Sequence, residues 1–105
     1  MLRQYNIDVN RQDNNGLSPI FTATGDKLKM ILSHKKVNIN IQDNNGNTAL
    51  HYQNNIDSIQ ILLKHKNIDV NILNHNSDPS YNTSNLEKAL AIISLGRIHY
   101  KNMIL

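Results

Sequence analysis

The stretch Gln12-Asp13-Asn14-Asn15-Gly16 returns as Gln42-Asp43-Asn44-Asn45-Gly46, 30 residues later. The similarity continues beyond these stretches, because residues 37–40 align with 68–71 and one apolar set, Leu28, Ile31 and Leu32, aligns with another, Ile59, Leu62 and Leu63. A period of this length is typical of repeat proteins, whose units stack and bury their apolar faces against one another. We therefore expect a repeat protein that leaves an open surface for binding.

Composition limits the chain to one small domain with a modest charge. Its 105 residues contain 11 Lys plus Arg against 8 Asp plus Glu, a net charge of +3 with neutral histidines. These charges are scattered along the chain, which falls short of the basic patch of a dedicated nucleic-acid binder. Cysteine is absent, so disulfides and thiolate metal sites are excluded.

The sequence carries no membrane or export signal. Residues 1–5 lack the apolar run of a secretory signal. The longest near-continuous apolar stretch, residues 89–95, is much shorter than the ~20 residues that cross a bilayer. We expect a soluble, cytoplasmic protein.

Each unit is predicted to begin with a turn and a short helix. Asp and Asn side chains bond to their own backbone, and an Asn-Gly step tolerates positive φ. Ser18 and Thr48 offer N-cap hydroxyls. The first helices are predicted over residues 19–24 and 49–53.

A second helix follows in each unit, opening at Asp26 or Asp57, where a carboxylate suits the positive end of the helix dipole. Its apolar residues recur at i, i+3 and i+4 and form one buried stripe. Basic residues at 34–36 and 64–66 are predicted to end these helices and to complement the negative end of the dipole.

Two short motifs resemble a known family. Thr48-Ala49-Leu50-His51 is similar to the Thr-Pro-Leu-His of ankyrin repeats, and 69–71 is similar to their Asp-Val-Asn. The resemblance covers residues 1 to about 73 and implies an all-α solenoid of helix-turn-helix units joined by short turns. The implied organisation is a remnant of a preceding repeat at 1–12, repeats at 13–42 and 43–73, and a degenerate capping region at 74–105. The units are shorter than the usual ~33 residues, so short first helices are expected.

The C-terminal region leaves two interpretations open. Ser84 or Asn85 is predicted to cap an amphipathic stretch that is broken near Gly96 and resumes to Met103; its apolar stripe would comprise Leu86, Ala89, Leu90 and Ile93. This stretch would either cover the apolar flank of the repeats or act as a basic amphipathic helix that binds an anionic membrane, the groove of a partner, or nucleic acid.

The resemblance also implies where a partner binds. In the family, turn tips and the exposed sides of first helices contact the partner, which is here a protein of unknown identity. Carried over by position, this set is Asn14, Asn15, Leu17, Thr22, Asn44, Asn45, Asn47 and Tyr52. Short first helices predict weak binding through a patch below the ~800 Å² per partner of a standard interface.

No catalytic residue, cofactor site, metal site or small-molecule substrate is predicted. The sequence has no glycine-rich phosphate loop and no nucleophile elbow. The resemblance gives His51 the role of hydrogen-bonding neighbouring turns, and makes Asn10 and Asn71 candidates for hydroxylation by a 2-oxoglutarate-dependent enzyme. An alternative is that the chain is a non-functional or dependent fragment of a larger repeat protein, since ~3 units are normally needed for stability.

Overall fold

The computed structural model describes residues 8–81 and 86–94. A 3-10 helix at Pro19–Phe21 precedes helix α1 (Gly25–Ser33), followed by α2 (Ala49–Tyr52), α3 (Ile56–Lys64) and α4 (Leu86–Ser94). Within these residues the β-structure is limited to one isolated bridge, Leu73 with Pro79. The all-α prediction is confirmed.

Aspartate closes the turn that opens each of the first two units. Asp13 Oδ1 accepts the N–H groups of Asn15 and Leu17, both at 2.9 Å, which holds the turn closed. Asp43 does the same for the second turn. Gly16 and Gly46 follow with φ of +81° and +80°, a conformation that residues with a Cβ avoid. The prediction that Asp side chains in these turns bond to their own backbone is confirmed.

The first helix of each unit is shorter than predicted. The 3-10 helix has three residues and α2 has four. The predicted cap by Ser18 is wrong, because its hydroxyl is buried without a hydrogen-bond partner. Pro19 has no N–H, and Phe21 N–H is donated to the Ser18 carbonyl, so neither offers the hydroxyl a backbone donor.

The second helices form the apolar layer of the stack. Both begin one residue earlier than predicted, with Asp26 and Asp57 in their first turns. Helix α3 packs against α1 and α4, and its stripe of Ile59, Leu62 and Leu63 is fully buried. In α1, Leu28 is fully buried while the remainder of the stripe is half-buried. The first basic cluster was predicted inside α1 but follows its last residue, Ser33.

Helix α4 packs on α3 with a different face from the predicted one. Lys88, Ala91 and Ile92 are buried, whereas Leu90 is 53% exposed. Of the predicted stripe, Leu90 is therefore wrong, whereas Ala89 and Ile93 are half-buried and Ile93 packs against the core. The side chain of Leu86 lies outside the described part of the structure. The buried face is centred about one residue, or ~100° around the helix, from the predicted one. The rotation gives the Lys88 ammonium a backbone acceptor, the His51 carbonyl, at 3.0 Å. The proposed caps at residues 84 and 85, and the segment after residue 94, lie outside the described residues.

Candidate partner-binding face

A third turn, at residues 74–78, repeats the geometry of the first two. Asn74 Oδ1 accepts the N–H groups of Asn76 and Asp78, both at 2.9 Å. Asn74 N–H in turn donates to the Asp78 carbonyl at 3.0 Å, and Ser77 N–H donates to the Asn74 carbonyl at 2.9 Å. An asparagine thus replaces the aspartate of the earlier turns, since each role needs only one acceptor oxygen.

Backbone and side-chain hydrogen bonds join the three turns. Asn44 donates its N–H to the Asn15 carbonyl at 3.1 Å and its Nδ2 to the Asn14 carbonyl at 2.8 Å. His75 N–H donates to the Asn45 carbonyl at 2.9 Å in the same way. These bonds fix the register of successive turns.

Glutamine adds a second link at the base of the turns. Gln12 Nε2 donates to the carbonyls of Gly16, at 2.7 Å, and Gln42, at 2.9 Å. Gln42 Nε2 donates to the carbonyls of Gly46, at 2.8 Å, and Leu73, at 3.3 Å. One amide therefore bridges its own turn and the next unit.

Asparagines in the extended links tie each unit to the following one. Asn10 donates to the Lys36 carbonyl at 2.8 Å and accepts Asn38 N–H at 2.8 Å. Asn40 makes the same pair of bonds one unit later, to the Asn67 carbonyl and from Asp69 N–H. The side-chain amide of Asn10, one of the two candidate hydroxylation sites, is engaged in holding the stack.

Tyr52 connects the second turn to the first helices. Its hydroxyl donates to the buried carboxylate of Asp43, and Asn47 Nδ2 donates to that hydroxyl at 3.3 Å. The ring meets Phe21 edge-on, with centroids 5.8 Å apart. The hydrogen bond to Asp43, followed by burial, raises the pKa of Tyr52. Tyr52 is 43% exposed, so its ring is also available to a partner.

His51 forms hydrogen bonds with three parts of the fold. Hydrogen bonding to neighbouring turns was its predicted role. Its Nδ1 accepts Thr48 N–H at 3.0 Å, which leaves Nε2–H to donate to the Asp78 carbonyl at 2.8 Å. Its backbone carbonyl accepts from Lys88 Nζ. Burial lowers the pKa of the Lys88 amine to about 8. The predicted role of His51 is confirmed.

The predicted binding residues occupy different environments. Asn14, Asn15, Thr22, Asn44, Asn45 and Tyr52 are exposed, whereas Leu17 and Asn47 are half-buried. The structure brings Asn44 against the first turn and Asn47 against Tyr52. Sequence reasoning omitted the exposed tips of the third turn, His75 and Asn76. The signal was present, since Asn74 follows Asp43 by 31 residues.

The described residues contain neither a metal-binding cluster nor a membrane-spanning helix. No group of three or more His, Asp or Glu side chains within residues 8–81 and 86–94 is arranged to hold a metal ion. In the same part of the chain, no helix is long and apolar enough to cross a membrane.

Turns bonded in register and a layer of paired helices define a helical repeat solenoid. A family model described as ankyrin repeats, in three copies, matches residues 1–74. The chain belongs to the ankyrin-repeat family. Ankyrin repeats generally mediate protein–protein interaction, and the family is typically non-enzymatic. A search among curated proteins finds no match.

Proposed function

We propose that this chain binds a protein partner through its turn face, which comprises Asn14, Asn15, Thr22, Asn44, Asn45 and Tyr52, extended by His75 and Asn76. The observation that carries the proposal is the hydrogen bonding between successive turns. Because these bonds fix the backbone before a partner arrives, binding costs less conformational entropy than it would for free loops.

The chemistry of the turn face favours a polar, transient complex. Asparagine amides at the tips donate and accept hydrogen bonds, while Tyr52 offers an aromatic ring of the kind that dominates binding energy at interfaces. The first helices contribute little area because they contain only three and four residues. We expect the buried area to stay below ~800 Å² per partner. We propose neither a catalytic activity nor a small-molecule substrate for this chain.

The test compares two double variants with the wild-type chain as immobilised baits. Asn15→Glu with Thr22→Glu places two carboxylates on the turn face, at exposed side chains that make no hydrogen bond within the described residues. Met30→Glu with Gln60→Glu is the control, because it puts carboxylates at exposed positions of the second helices. Asn47 and Tyr52 are poor choices for this purpose, since both hold the fold together.

Retained proteins are identified by mass spectrometry, and circular dichroism checks that all three baits are folded. The proposal expects a protein that wild type and the control retain and the turn-face variant loses. Equal retention by both variants would place the binding surface elsewhere.

A further inference from the structure

The second helices end beside a basic cleft that the turn face does not include. This cleft, of about 290 Å³, lies between the residues that follow α1 and those that follow α3. Its cationic and imidazole side chains are His34, Lys35, His65 and Lys66, and its apolar floor includes Leu32 and Val37. No acidic side chain is among the residues that line it.

These cations could serve the helices alone, because positive charge near a helix C-terminus complements the dipole and can satisfy terminal carbonyls. Three carbonyls at the end of α1 already have other donors. Ile31 carbonyl accepts His34 N–H at 3.2 Å, and His34 carbonyl accepts Val37 N–H at 3.0 Å. The Lys36 carbonyl accepts the Asn10 amide at 2.8 Å.

The end of α3 follows the same pattern. Leu62 carbonyl accepts His65 N–H, and His65 carbonyl accepts Ile68 N–H, both at 3.2 Å. The Asn67 carbonyl accepts the Asn40 amide at 2.8 Å. Backbone and asparagine donors thus satisfy three carbonyls at each helix end.

The ammonium groups are therefore available to a ligand. Within the described residues, Lys35 and Lys66 are exposed and their side chains make no hydrogen bond or ion pair. His34 Nδ1 accepts Lys36 N–H at 3.2 Å, which assigns the ring proton to Nε2 and leaves that atom as a donor. The cleft thus combines two unpaired cations, an N–H donor and an apolar floor.

We propose that this cleft binds an acidic segment of a protein, with carboxylates at Lys35 and Lys66 and an aliphatic side chain between them against Leu32 and Val37. The apolar floor favours a peptide over nucleic acid, since the lining residues include no Phe, Tyr or Trp ring for base stacking and no arginine for bidentate phosphate contacts. The site shares no residue with the turn face, so either proposal can fail without the other.

The experiment measures binding of a fluorescein-labelled peptide of alternating Glu and Leu to the full chain by anisotropy. Lys35→Gln with Lys66→Gln removes two cations from the cleft. Lys27→Gln with Lys29→Gln is the matched control, because it removes the same charge from exposed positions of α1. We expect the first pair to weaken binding about tenfold at low salt and the control less than threefold. Binding should also weaken as salt rises, since the charges are exposed.

Three outcomes would overturn the proposal. Equal losses in the two double variants would mean that net charge alone attracts the peptide. Undiminished binding in the cleft variant would place the peptide elsewhere. Tighter binding of a single-stranded oligonucleotide than of the peptide would identify a nucleic-acid surface instead. As a negative control, a matching peptide of Gln and Leu should not bind, because it has no carboxylates for the two lysines.

Discussion

The second turn, residues 43–47, and the third, residues 74–78, close with the same hydrogen bonds although their residues differ. The second has Asp43 and Gly46 where the third has Asn74 and Ser77. Gly46 lies under the third turn, and a Cβ there would come within 2.8 Å of the His75 backbone nitrogen. Ser77 keeps the positive φ, at 65°. Glycine is thus required by the neighbouring turn as well as by the local conformation.

The largest effect is expected from Gly46→Ala. The Cβ would meet backbone atoms of the third turn, which cannot move without breaking the hydrogen bonds between turns, and the positive φ adds strain. We expect a loss of about 3 kcal/mol in the free energy of unfolding, measured by urea denaturation.

Gly25→Ala separates the strain of a positive φ from the clash with a neighbouring turn. Gly25 also has a positive φ, at +54°, but an added Cβ there would have no heavy atom within 4 Å. This variant should lose only about 1 kcal/mol. Equal losses at positions 25 and 46 would show that local strain, and not the stacking of turns, makes Gly46 necessary.

The buried side chain of Lys88 in α4 should make the stability of the fold depend on pH. Burial lowers the pKa of Lys88 to about 8 from an ordinary value of 10.5. Between these values the unfolded chain binds more protons than the folded chain, so stability should rise as pH increases from about 8 towards 10. We expect a gain on the order of 1–2 kcal/mol, measured by urea denaturation at successive pH values.

Lys88→Met provides the control, because it fills the same buried space without a titrating amine. The rise between about pH 8 and pH 9.5 should disappear in this variant, and its persistence would assign the titration to another group. The raised pKa of Tyr52 acts in the opposite direction, since the unfolded tyrosine loses its proton first as pH passes 10. The measurement therefore ends near pH 9.5.

The local parts of this fold could be predicted from the sequence. The Asp13 and Asp43 turns depend on bonds across at most four residues, and the α3 stripe depends on helical periodicity alone. The rotation of α4 could not be predicted, because it depends on a carbonyl 37 residues away. A lysine inside an apolar face also conflicts with the pattern from which such faces are recognised.

In the candidate site, too, local features could be predicted from the sequence and features that depend on distant contacts could not. The tips of the first two turns follow from the repeated motif, whereas the tips of the third turn were not included in the predicted binding set, because the sequence departs from the motif at Asn74 and Ser77. The internal roles of Asn47 and Tyr52 depend on how turns and helices meet in space. Exposure inferred from family position could not show that these side chains were already engaged.

Tyr52→Phe is expected to lower the free energy of unfolding by less than Gly46→Ala does. It removes the hydroxyl that donates to the Asp43 carboxylate. In the third turn, the Asn74 amide instead donates to Asn47 Oδ1 at 2.8 Å. The loss should be about 1–2 kcal/mol by urea denaturation, because a largely buried carboxylate oxygen loses its partner. Tyr81→Phe is the control, since that half-buried hydroxyl makes no hydrogen bond among the described residues. A similar cost at both positions would remove the special role of Asp43.

The smallest effect, and the only gain in stability from a substitution, is expected at the third turn itself. Ser77 holds a φ of 65° that glycine adopts without strain. Ser77→Gly should therefore add about 0.5 kcal/mol to the free energy of unfolding, because relief of strain slightly exceeds the greater entropy of the unfolded glycine. Asn76→Gly is the control, since it adds the same flexibility to the unfolded chain without relieving a positive φ, and it should destabilise. If both variants lower the free energy of unfolding equally in urea, the third turn holds its serine without strain. The need for glycine at position 46 would then come only from its contact with the third turn.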